Sequence, residues 1–162
     1  VDAIAPEEWD RCIAVDLTGQ FNCVRLAVPA LRESANASIV NISSLAGRLG
    51  FALRTPYAAA KWGVIGLMRS LAIELGPDNI RVNALLPGIV AGERQVRVLT
   101  AKAQARGVPF EEVEKSAFAA TSIKQYVSAE QLADYVVYLA SPRAATISGQ
   151  ALSVCGDTNM LS

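Results

Sequence analysis

The chain has 162 residues, 52% of them apolar, with 15 basic and 15 acidic side chains. That length and apolar content suit one domain with a substantial core, and the balanced charge points to no nucleic-acid or acidic-membrane partner. The absence of histidine excludes histidine-based triads and most zinc sites, and no apolar run is long enough to span a bilayer.

In chain order, Pro6-Glu7-Glu8-Trp9 opens a long helix, with proline in the first turn and acids at the positive end. It is expected to run to about Leu31, with apolar residues recurring at Trp9, Ile13, Phe21, Val24 and Val28. Asn36-Ala37-Ser38 turns into a first strand, Ile39-Val40-Asn41-Ile42, followed by a small-residue loop. A second helix is expected from about Thr55 to Leu75, where Val64, Leu67, Met68, Leu71 and Leu75 form a helical stripe. Gly76-Pro77 stops it. Ile80 to Leu86 reads as a second buried strand, and its unbroken apolar character implies a parallel sheet covered on both faces. Glu93–Arg106 and Phe110–Ala119 look helical, separated by Gly107-Val108-Pro109. Ser128-Ala129-Glu130-Gln131 is a capping-box pattern that starts a last helix. That helix carries Leu132, Val136 and Leu139 inward and stops at Ser141-Pro142, and Ser148–Val154 is a final strand. Cys12, Cys23 and Cys155 have no metal-ligand spacing and read as reduced, partly buried thiols of a cytoplasmic protein.

One constellation carries chemistry. Tyr57 and Lys61 stand at i and i+4, which stacks their side chains on one helix face. A lysine ammonium beside a phenol favours the phenolate, so the pair can exchange a proton with an alcohol oxygen. Ser44, at the end of the first strand, can hydrogen-bond the same oxygen. A Tyr-x-x-x-Lys pair alone is more often an ordinary helix face with a lysine whose stem lies on apolar surface. Its neighbourhood alters that balance: Ser38–Gly47, then Pro56–Lys61-Trp62-Gly63, then Ile80-Arg81-Val82-Asn83-Ala84-Leu85-Leu86-Pro87-Gly88.

From Trp9 to about Gly156 this ordered series resembles the short-chain dehydrogenase/reductase family. The resemblance implies an α/β Rossmann-like, doubly wound parallel sheet in a single partial domain over 1–162, with a substrate lid over 89–127. It implies an oxidoreductase that moves a hydride between NAD or NADP and a small alcohol or ketone. Tyr57 would be the acid/base, Lys61 its partner and a ligand of the nicotinamide ribose, and Ser44 the group that orients substrate. Ser43, one residue off, would point to the other face. Pro87 and Gly88 match the turn beside the nicotinamide, where Ile89 and Val90 would offer backbone contacts. The family also implies a homotetramer built on the two long helices, here Trp9 to Leu31 and Tyr57 to Leu75.

Two positions depart from the pattern. Asp16, in Val15-Asp16-Leu17, replaces an asparagine that helps hold a water near the lysine. It reads either as an altered member of the proton relay, favouring the ammonium, or as a residue that bends the helix locally. Gly92 replaces a threonine that contacts cofactor. Arg94, Arg97 and Lys102 could meet an anion, although a solvated helix face is the favoured reading. The glycine-rich dinucleotide turn is not found before Ser38. The expectation is therefore a C-terminal catalytic portion, inactive by itself, whose sheet would leave an open edge and two uncovered faces. The competing reading is a catalytically incomplete fragment that serves only as an assembly module.

Overall fold

The computed structural model describes residues 1–158. Three parallel strands form one sheet in the order β1-β2-β3: β1 Ser38–Ile42, β2 Arg81–Pro87 and β3 Ala151–Val154. Ser38 pairs with Arg81 and Ile42 with Leu85, while Ala84 pairs with Ala151 and Pro87 with Val154. All three carboxyl ends therefore point the same way, toward the loops that hold the candidate residues. The third strand is shorter than expected, because Ser148 and Gln150 spend their groups on β2: the Ser148 hydroxyl accepts from Val82 N and the Gln150 amide donates to Asn83 Oδ1.

The first helical stretch is α1, Pro6–Ile13, and α2, Gly19–Arg32, joined by a π-helical turn over Ala14–Thr18. It reaches the expected end but not as one regular helix. Of its recurring apolar residues only Val24 is buried, whereas Trp9 is 40% and Phe21 46% exposed. α3 spans Thr55–Leu75. Its Met68 and Leu75 pack with Val24, Ile39, Val82, Ala84 and Leu86 on one face of the sheet.

The opposite face is covered by α6, Ala129–Ala140, whose Leu139 packs with Leu85, Val40 and Leu152. Both faces are thus covered, contrary to the expectation of bare ones. What lacks a strand partner among the described residues is the outer edge of β1 and of β3. Ser128 and Gln131 form the reciprocal capping box that the sequence pattern indicated. At the other end of α6 the buried Arg81 guanidinium donates to the carbonyls of Leu139 and Ala144 and to Asn36 Oδ1. These bonds satisfy carbonyls that a helix end leaves without partners.

Between β2 and α6 the chain makes an excursion through α4, Glu93–Arg106, and α5, Phe110–Ala117. α5 ends two residues before the expected Ala119, where Phe118 N bonds Glu114 O. The excursion has its own small core of Leu99, Ala103 and Val113. It rejoins the sheet through a parallel bridge between Val90 and Val127 and through Ile123 N on Gly156 O at 2.9 Å. Of the cysteines, Cys12 and Cys155 are partly buried, but Cys23 is exposed.

Candidate active site

The sheet's carboxyl end positions the serines. Ser43 N donates to Leu85 O at 2.8 Å, extending the β1–β2 ladder by one residue. Alternation along the extended chain then separates the two hydroxyls. Ser43 is buried, and its Oγ donates to Lys61 O at 2.9 Å. Ser44 is half-buried, with extended backbone (φ −166°, ψ 168°), and its Oγ accepts from Ala46 N at 3.2 Å. That bond caps the short turn Leu45–Gly47 and leaves the Ser44 hydroxyl proton available as a donor.

Pro56 starts α3 at a position where a missing N–H costs nothing. Tyr57 follows in the first turn and is half-buried, and its phenol has no hydrogen-bond partner among the described residues. One turn on, Lys61 is 7% exposed. Its ammonium lies 5.5 Å from the Tyr57 ring centroid and donates to Ile42 O at 3.3 Å. Its charge is matched by Asp16, with Nζ 2.9 Å from Oδ1.

The π-helical turn explains how Asp16 arrives there. A wide turn inserts an extra residue and rotates the following helix relative to the preceding one. The Asp16 carbonyl accepts from Gln20 Nε2 at 2.9 Å, and Cys12 Sγ reaches Asp16 Oδ2 at 3.6 Å. Burial first, then the Asp16 charge and hydrogen bond, push the Cys12 thiol above its ordinary ionisation range. Close approach of α3 completes the arrangement: a Cβ on Gly63 would stand 2.7 Å from Leu17 Cδ2. Asp16 thus sits in the local helix distortion and pairs directly with Lys61.

Sequence reading missed three contributors. Gln20 Nε2 also donates to Ile42 O at 3.1 Å, so Gln20 and Lys61 share that carbonyl, and Asn41 Nδ2 donates to Gln20 Oε1 at 3.1 Å. Asn41 Oδ1 is buried without a partner among the described residues. Cys12 and Gln20 each stand four residues from Asp16, a helical spacing that could have drawn attention to them.

At the end of β2, Gly88 N donates to Val154 O at 2.9 Å, and a Cβ there would meet Cys155 Cα at 2.7 Å. Only glycine fits this approach. Ile89 O accepts from Val127 N at 2.9 Å, and Ala91 N donates to Val127 O at 2.8 Å. In a parallel pattern these bonds turn Val90's own N–H and C=O to the opposite side. Val90 therefore fits a backbone contact with a carboxamide-bearing ring, whereas the Ile89 carbonyl is already engaged. Gly92 has φ 141° and ψ 168°, a region that threonine does not adopt without strain.

A family model described as enoyl-(acyl carrier protein) reductase matches residues 1–156. The chain belongs to the short-chain dehydrogenase/reductase family. This family member is 38% identical over 150 residues to trans-4-hydroxycyclohexanecarboxylate dehydrogenase of Sinomonas cyclohexanicum, covering 93% of the chain and 51% of that relative. Sorbitol-6-phosphate 2-dehydrogenase of Erwinia amylovora superposes with a TM-score of 0.89 at 28% identity, over 96% of this chain and 62% of that one. A 3-oxoacyl-(acyl-carrier protein) reductase of Brucella melitensis with bound NAD superposes with a TM-score of 0.81 at 34% identity, over 99% and 55%. The chain thus spans about half to three-fifths of the length of these relatives.

Proposed function

We propose that this chain supplies the catalytic half of a nicotinamide-dependent dehydrogenase or reductase acting on a small alcohol or ketone. The observation that carries the reading is the Asp16-paired Lys61, its ammonium 5.5 Å from the Tyr57 ring centroid, at the carboxyl end of the sheet where Ser44 follows β1. Ligands of open α/β sheets bind at that end. Lys61 and the backbone of Gly88 and Val90 would hold NAD or NADP, and a bound nicotinamide supplies the hydride acceptor or donor. Pro87, which ends β2, rigidifies the turn.

Tyr57 exchanges the proton with the substrate oxygen, and Ser44 Oγ donates a hydrogen bond to that oxygen. Lys61 places positive charge beside the phenol, favouring its anionic form as the proton leaves. Asp16 fixes the ammonium and offsets its charge, so the pair works as one unit. The excursion over 89–127 serves as the lid that keeps water from the site. The exposed apolar side chains of the helical pair support association with other copies, with Val15 69%, Leu26 70%, Trp62 50% and Ile73 79% exposed.

The test is Tyr57→Phe in the full-length protein that contains this chain. Phenylalanine keeps the ring and removes the proton. Turnover should fall at least ~100-fold, in line with the usual contribution of a positioned acid/base, while cofactor binding is retained. Undiminished turnover would overturn Tyr57 as the proton donor and acceptor, and with it this reading of the site.

A further inference from the structure

The stretch that carries Ser44, Tyr57 and Lys61 is rich in basic residues. From Ser34 through Ile73 the chain has no aspartate or glutamate, yet it carries Arg48, Arg54, Lys61 and Arg69. Two of these cations are engaged. Lys61 is paired with Asp16, and Arg48 donates to Ser153 Oγ at 3.2 Å and to Ala151 O. Arg54 differs. Its guanidinium carbon lies 6.0 Å from the Tyr57 ring centroid, and it has no carboxylate partner among the described residues.

The chain leading to Arg54 is shaped rather than slack. Leu53 holds φ 63°, a left-handed conformation uncommon for leucine, and such departures cluster at ligand sites. Leu53 is 95% and Phe51 42% exposed, so the segment before Arg54 carries apolar side chains at its surface. A guanidinium beside the ring of the proposed acid/base, with no carboxylate partner of its own among the described residues, fits an anionic group on the substrate. Carboxylate matches that geometry through paired N–H donors.

We propose that Arg54 is the anion clamp of the substrate site and that the substrate is a hydroxy or oxo carboxylate. Its carboxylate pairs with the guanidinium while its carbinol or carbonyl oxygen meets Tyr57 and Ser44. The proposal rests on the dehydrogenase reading and adds the chemical class of substrate to it. A lone guanidinium favours a carboxylate over a phosphate dianion, which would call for further cations.

The experiment uses the full-length protein with nicotinamide cofactor and a panel of short hydroxy carboxylates, each beside its neutral amide. Binding of cyclohexanecarboxylate and cyclohexanecarboxamide is followed by calorimetry, which needs no turnover. The parent should prefer acid over amide in both kcat/KM and binding. R54Q should collapse that preference by about 10- to 100-fold, the range of a charge-assisted hydrogen bond, and R54K should keep much of it. Y57F should lose turnover of acid and amide alike while keeping the acid bound.

Equal binding of acid and amide by the parent overturns the proposal, whether or not any panel member is turned over. So does an R54Q variant that weakens both ligands alike, or one that weakens only the cofactor. Persistent turnover in Y57F together with loss of acid binding in R54Q would sink the role given to Tyr57 and leave the anion clamp standing.

Discussion

Lys61 Nζ and Asp16 Oδ1 stand 2.9 Å apart, joining the first turns of α3 to the π-helical turn between α1 and α2. The lysine side chain is 9% exposed and the aspartate 28%. A pair this sheltered is more costly to break from one side than to replace whole, because removal of one partner strands the other charge.

Asp16→Ala should therefore destabilise the protein by about 2–3 kcal/mol, somewhat below the value for a fully buried pair. Asp16→Asn keeps the shape and an acceptor for the ammonium, so it should cost less than about 1.5 kcal/mol. Urea unfolding midpoints of the two variants check the order. A larger loss for asparagine than for alanine would refute the ion-pair account.

Gly63 sets how closely α3 approaches that turn. Gly63→Ala places a methyl 2.7 Å from Leu17 Cδ2, so the end of that side chain must shift to admit it. The overpacking should cost about 1–3 kcal/mol, despite the better helix propensity of alanine. Thermal denaturation measures the loss. A stabilised variant would mean that the helices separate freely, and the Lys61–Asp16 contact would then not depend on this approach.

Ser128 accepts from Gln131 N at 3.1 Å, and the Gln131 side chain accepts from Ser128 N at 2.9 Å. Ser128→Ala removes one arm of this cap and should lower stability by roughly 1 kcal/mol. Hydrogen exchange should quicken first at the amides of the first turn of α6. Unchanged exchange there would mean that solvent replaces the cap without loss.

Tyr126 is pushed up to about 12 by burial first and then by its hydrogen bond to Glu114. A folded value above the unfolded one means that the neutral phenol is favoured in the native state. The stability this contributes is whole below about 10, the usual tyrosine value, and is lost as pH rises through 12. Absorbance titration should show Tyr126 ionising late, at the onset of alkaline unfolding. Glu114→Gln should bring that step to lower pH. Tyr126 ionising near the usual tyrosine value would overturn the assignment.

Much of the fold is legible in the amino-acid sequence because its signals are local. The Val64–Leu75 stripe and Gly76-Pro77 placed α3 at the residues where it is found, and Ser128 with Gln131 placed the start of α6. The spacing of Tyr57 and Lys61 indicated a shared helix face before any coordinates. Local pattern also misled: Trp9 and Phe21 follow a helical recurrence yet remain exposed. A hydrophobic repeat reports a face and says nothing of what covers it.

The proposal of proton exchange thus rests on residue types at fixed helical and strand spacings, which need only backbone geometry. Tertiary structure decided which distant side chains complete the site. The π-helical turn brings Asp16 to Lys61, Gln20 ties that turn to β1, and Arg54 comes to rest over Tyr57. None of these contacts follows from spacing, because each depends on how separate elements pack and on where a strained loop turns.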